Sequence, residues 1–171
     1  MFDFWDIMLI IIASIFLLIA ISFVWLKMKY VKDLKRIKES YQKIFPNAKI
    51  NLFNRDSLYQ LEIIEESKKT IVKVIMAHLD YEFIITNTFK WAINDNPKGW
   101  SRKTKPVFIN DSAAFDQYSD SSFEITKIVL LYPGIKKVIR YLNESDTVIQ
   151  KPEEKFRNIQ FLSYDNLEKF L

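Results

Sequence analysis

Residues 7–26 carry apolar side chains without a single charge, a run of about 20 positions and so as long as a helix must be to cross the hydrocarbon of a bilayer. Its two hydroxyls, Ser14 and Ser22, can bond back to carbonyls of their own helix. Phe4, Trp5, Trp25 and Tyr30 flank the run, where amphipathic rings prefer the headgroup layer. The pattern predicts a transmembrane helix. Beyond it, Tyr30, Leu34, Ile37, Tyr41 and Ile44 are spaced by alternating fours and threes, a heptad seam on a helix that continues the span until Pro46 stops it. Such a seam fits the first helix of a domain laid on a sheet, or a short coiled coil joining two copies of the chain.

After Pro46 the period changes from helical to alternating. Tyr59, Leu61 and Ile63 alternate with Gln60, Glu62 and Ile64, which predicts a half-buried strand ending at the charged turn 65–69. Residues 70–76 are β-branched or apolar apart from Lys73 and predict a central strand. Residues 82–87, running on toward Ile93, predict a third, and the short turns predict an antiparallel meander of all three. A polar loop spans 94–106, followed by a short helix around 112–118 and a buried strand over 123–132 that stops at Pro133 and Gly134. Ile135, Val138, Ile139 and Leu142 fall on one helical face. Brief strands are predicted over 147–150 and 159–163, and Asp165 is placed to cap a final helix over 166–171.

Charge then gives the span a direction. Asp3 and Asp6 precede it, whereas Lys27, Lys29, Lys32, Lys35, Arg36 and Lys38 follow it, and basic flanks stay in the cytoplasm. The acidic start and the lack of a small-residue cleavage pattern argue against a removed signal peptide. The expected organisation is a short non-cytoplasmic tail (1–6), a transmembrane helix (7–26), a basic juxtamembrane helix (27–45) and one cytoplasmic domain (47–171) in the cell membrane. The juxtamembrane lysines suit anionic headgroups, at about 1 kcal/mol each. About 130 residues remain for that domain, enough for one core. The net charge of +4 owes much to the basic flank, so it says little about nucleic acid. With no cysteine, disulfides, thiolate metal sites and cysteine nucleophiles are excluded, and two glycines leave no phosphate-cradling loop.

Without its anchor the element order is helix, three strands, helix, strand, helix and small strands: an α/β (α+β) domain with an αβββαβ-type mixed sheet. That order resembles the restriction-endonuclease-like fold, and a membrane span ahead of it resembles the nuclease-related (NERD) family. The hydrophobic strand 127–132 with Pro133 and Gly134, followed by the closing strand and helix over 159–171, extends the similarity. The resemblance implies a Mg²⁺-dependent nuclease centre, with a carboxylate at the start of one strand and an acid-x-lysine triplet on the next. Two acids hold the metal and the lysine steadies the attacking water. Here Lys73 has Ile71 two positions before it, and Glu82 has Ile84 two positions after it, so the triplet is broken. The catalytic candidates that remain are Asp80 and Glu82, two apart near a turn, with a displaced Lys73 or Lys90. No metal site is predicted and no cofactor is expected, Mg²⁺ entering only if the nuclease alternative holds. The lone His78 is expected to cap or pack.

The remaining unusual chemistry is the loop, where Trp91, Lys98, Trp100, Arg102, Lys103 and Lys105 interleave indoles with cations. Such a loop grips phosphates and stacks on bases, or sits at an anionic lipid surface. The alternative is that Trp91 is core and Trp100 pins the loop. The function expected is a membrane-anchored cytoplasmic binding or regulatory module with a degenerate nuclease-like domain. The alternatives are a metal-dependent nuclease acting on DNA or RNA at the membrane, and a structural component of a membrane assembly. Expected partners are the bilayer, nucleic acid or anionic lipid, a protein, and a second copy of the chain through residues 7–44.

Overall fold

The computed structural model describes residues 3–86, 88–94, 106–143 and 145–170. The chain divides into two compact units, Met1–Glu39 and Ser40–Leu171. Helix α1 (Phe4–Ile44) makes up the first and supplies its last turn to the second, unbroken until just before Pro46. Within the first unit the apolar run is exposed on every face, with Phe16 at 69% and Phe23 at 71%. Ser14 donates to the carbonyl of Ile10 at 2.7 Å and Ser22 to that of Leu18 at 2.8 Å, so neither hydroxyl is left without a partner. Among the described residues this is the one helix long and apolar enough to cross a membrane.

In chain order the second unit continues with β1 (Lys49–Leu52), β2 (Leu61–Glu65), β3 (Lys68–Met76), β4 (Glu82–Ile85), β5 (Trp91–Asn94) and β6 (Val107–Ile109). Then come α2 (Ser112–Gln117), β7 (Glu124–Tyr132), β8 (Lys137–Tyr141), β9 (Thr147–Ile149), β10 (Lys155–Phe156), β11 (Ile159–Ser163) and α3 (Leu167–Phe170). They form two mixed sheets, ordered β1-β2-β3-β7-β11-β10 and β6-β5-β4-β8-β9. The first is built on β3 and β7, which pair in parallel from Lys68↔Glu124 to Met76↔Tyr132. β11 adds to β7 in parallel, whereas β1, β2 and β3 run as an antiparallel meander.

Alternation along these strands decides which side chains are shared between the sheets. Ile71, Ile75, Val129, Leu131, Ile159 and Phe161 of the first sheet meet Phe83, Ile85, Trp91 and Val138 of the second, with Phe115 of α2 beside them. Each such side chain is worth roughly 1.5–3 kcal/mol over leaving it exposed. Phe161 lies 5.8 Å from both Phe83 and Trp91, and Trp91 is edge-on to Phe115 at 5.8 Å, the separations aromatic rings prefer.

Several expectations change. One mixed sheet was expected and two are found. The third meander strand, β4, pairs with β5 and β8 in the second sheet. The physical reason is that both edges of β3 are taken, by β2 and by nine residues of β7. The meander that does form is β1-β2-β3, and β1 was too short to signal itself. The run toward Ile93 is two strands, because the chain reverses between β4 and β5, Phe89 standing at φ 59. The helix expected from Ile135 to Leu142 is strand β8. Its apolar spacing suits either period, and parallel pairing with the buried β4 decides for the strand. Asp165 lies inside a 3-10 turn (Tyr164–Asn166) ahead of α3 and is not its cap.

Candidate functional site

The inner face of the first sheet carries charge as well as core. Pairing registers put Glu62, Ile71, Lys127 and Ile159 in one row across β2, β3, β7 and β11, so an acid and a lysine share a buried row with two isoleucines. Lys69 lies on the same face at the start of β3. Beyond the N-terminal ends of the parallel strands β7 and β11, an open cavity of about 470 Å³ is lined by Asp116, Tyr118, Asp120, Lys127, Arg157 and their neighbours.

On the β2–β3 side the charges are closely matched. Lys69 Nζ is 2.8 Å from Glu62 Oε1 and 3.0 Å from Asp120 Oδ2, and it donates to Tyr118 Oη at 3.3 Å. Asn51 donates to the other Glu62 oxygen at 2.9 Å, and Tyr59 to Oε1 at 3.3 Å. Burial alone would raise the Glu62 pKa, but the bonds from Lys69 and Asn51 prevail and hold it below the ordinary carboxylate range. The bond to Glu62 keeps Lys69 protonated well above the usual lysine range, and the bond from Lys69 depresses Asp120.

Lys127 is different. Its ammonium donates to the main-chain oxygen of Asp116 and to nothing else among the described residues. Burial pushes its pKa down, and the charge of Asp116 opposes this only in part. Arg157, half exposed, reaches Asp116 Oδ2 at 3.3 Å and stacks its guanidinium 4.6 Å from the Phe89 ring centre. It occupies the two-residue turn between β10 and β11 with Asn158, at φ 51 and 60. Left-handed geometry there satisfies the hairpin twist, although neither residue is glycine.

The residues singled out from sequence are dispersed. Glu82 is buried and paired with Lys137 at 3.0 Å; Asp80 is exposed, 3.7 Å from His78 Nδ1; Lys73 is 3.7 Å from Asp111. His78 itself is exposed and tilted against Tyr81 at 5.4 Å. Lys90 is exposed on the β4–β5 turn, its main-chain nitrogen donating to Thr86 Oγ1. Asp80 and Glu82 thus engage different partners, and no group of three metal-binding side chains converges among the described residues. Trp91 is fully buried, its indole nitrogen without a partner among the described residues, and is core rather than loop. Lys98, Trp100, Arg102, Lys103 and Lys105 lie outside the described residues.

Sequence reasoning passed over Lys69, Asp116, Asp120, Lys127 and Arg157, and set Glu62 aside because its spacing from Glu65 puts the two acids on opposite faces of a strand. One signal was available: Lys127 is in phase with Val129 and Leu131 in an otherwise apolar strand, so alternation alone points its stem at the core. Comparison with protein-family models, with curated proteins and with solved structures returns no match.

Proposed function

We propose that the chain is a single-span membrane protein, N-terminus outside, that presents its C-terminal unit in the cytoplasm as a binding module with a degenerate nuclease-like centre. The observation that carries this is the apolar stretch of α1, exposed on every face. In water each of its large side chains would forgo roughly 1.5–3 kcal/mol of burial, whereas a bilayer removes that cost and the helix satisfies its own backbone. Asp3 and Asp6 before the span and the lysines after it support the orientation. The nuclease-like resemblance rests on the order of helices and strands along the sequence. Loss of catalysis is supported by Ile71, fully buried two positions before Lys73, and by the engagement of Lys73 and Glu82 with other partners. The cations and indole of the 98–105 loop fit an anionic surface, lipid or nucleic acid.

Two measurements test this. The full chain should resist alkaline extraction from membranes, and a reporter fused after Leu171 should be active in the cytoplasm only. Release by alkali, or activity of an exported reporter, contradicts the anchor or its direction. The same preparation should not cleave DNA or RNA with Mg²⁺ or Mn²⁺. Cleavage abolished by Glu82→Gln would turn the assignment to the nuclease alternative.

A further inference from the structure

Among the described residues the buried charges are Glu62, Lys69, Lys73, Glu82 and Lys127. Four of them face an opposite charge within 4 Å: Glu62 and Lys69 each other, Lys73 Asp111, and Glu82 Lys137. Lys127 is the exception. An ammonium has three donors, and this one uses a single donor on the Asp116 carbonyl, nine-tenths buried and with no described carboxylate within 4 Å, the Asp116 charge acting on it from farther off. A buried charge in that state is unfavourable until an anion joins it.

The cavity that Lys127 lines is open and large enough for a small molecule. Arg157 stands over the same Asp116, with most of its guanidinium donors unused. Among the described residues nothing donates to Asp116 Oδ1, which leaves it to take a bond from a ligand hydroxyl. Asp120 also faces the cavity, and with Asp116 it gives the lining two negative charges against the two positive ones, which disfavours a dianion.

We propose that this cavity binds the carboxylate of a small, singly charged hydroxy acid, with Lys127 and Arg157 as the cationic donors and Asp116 as the acceptor for its hydroxyl. The bound carboxylate would complete the partner set of Lys127, and the second charge on Arg157 would give it the two-sided grip that carboxylates favour. This rests on the reading of the C-terminal unit as a binding module and is independent of the anchor.

The test titrates the isotopically labelled full chain, in micelles, with sodium glycolate at constant ionic strength. Amide signals of Asp116, Tyr118, Lys127, Arg157 and Asn158 should move saturably, with half-saturation in the millimolar range. Lys127→Met and Arg157→Gly should each weaken binding by about tenfold or more while the remaining spectrum stays folded. Inorganic phosphate, largely dianionic above neutral pH, should bind several-fold more weakly. No saturable shift up to about 50 mM, well above the half-saturation expected, overturns the proposal. So does binding that survives Lys127→Met, and phosphate binding as tightly as glycolate replaces the carboxylate class. Any of these outcomes leaves membrane insertion untouched, because alkaline extraction reads that separately.

Discussion

Lys69 and Lys127 sit on one face of one sheet, start from adjacent parallel strands and are buried to the same degree, yet their surroundings are opposite. Lys69 is clasped by Glu62, Asp120 and Tyr118; among the described residues Lys127 hydrogen-bonds only to a main-chain carbonyl. Since burial is common to both, it is the partner set that separates a structural charge from one still open to a ligand. The depressed amine of Lys127 and the elevated one of Lys69 express the same difference in protonation.

The comparison breaks most sharply on the Lys69 side. Glu62→Gln should lower the stability of the C-terminal unit by about 2 kcal/mol, less than an isolated buried pair loses because Asp120 still holds the lysine. Urea denaturation of the full chain in micelles measures this. An unchanged midpoint would make the clasp incidental. Acid provides the next largest effect. Glu62 and Asp120 have depressed folded values, so their contribution is present above the unfolded carboxylate range and lost as pH falls through the folded values. The urea midpoint of the parent chain should therefore drop on acidification below about pH 4, near the unfolded carboxylate values, and that of Glu62→Gln should drop less.

On the Lys127 side the sign reverses. Lys127→Met keeps the length of the stem and removes the unmatched charge, so it should stabilise by about 1 kcal/mol. Because the folded Lys127 value is lowered, the unfolded chain binds more protons between that value and about pH 10.4, and stability should rise with pH across that window in the parent but not in the variant. A loss of stability in Lys127→Met would mean that its charge is matched after all. The smallest effect belongs to the strained turn beside the cavity. Asn158→Gly suits φ 60 and should gain about 0.5 kcal/mol, measured by the same denaturation.

How much of this was legible in the sequence follows from the range of the interactions. The apolar run, the break at Pro46, the strands β2, β3, β7 and β11 and the short helix α2 are all local patterns, and each is where its periodicity put it. β1, β6 and β10, two to four residues long, carry no period to detect. The move of β4 to a second sheet and the conversion of residues 137–141 to strand depend on which edges β3 and β4 have free, which is decided by residues more than fifty positions away. The candidate site was the least legible part, for the same reason. Asp116, Lys127 and Arg157 come together only through the parallel stacking of β7 and β11. A broken acid-x-lysine triplet, by contrast, needs no tertiary knowledge to recognise, and Lys73 and Glu82 do face other partners.

The most direct test of the contrast is to titrate the two amines side by side, following the side-chain carbon signals of the full chain labelled with ¹³C-lysine and assigned from Lys69→Arg and Lys127→Met. Lys127 should release its proton below the ordinary value of about 10.4, and Lys69 should still hold its own above it. Two lysines titrating together at the ordinary value, or Lys127 above Lys69, would contradict the division of this face into a matched and an unmatched charge.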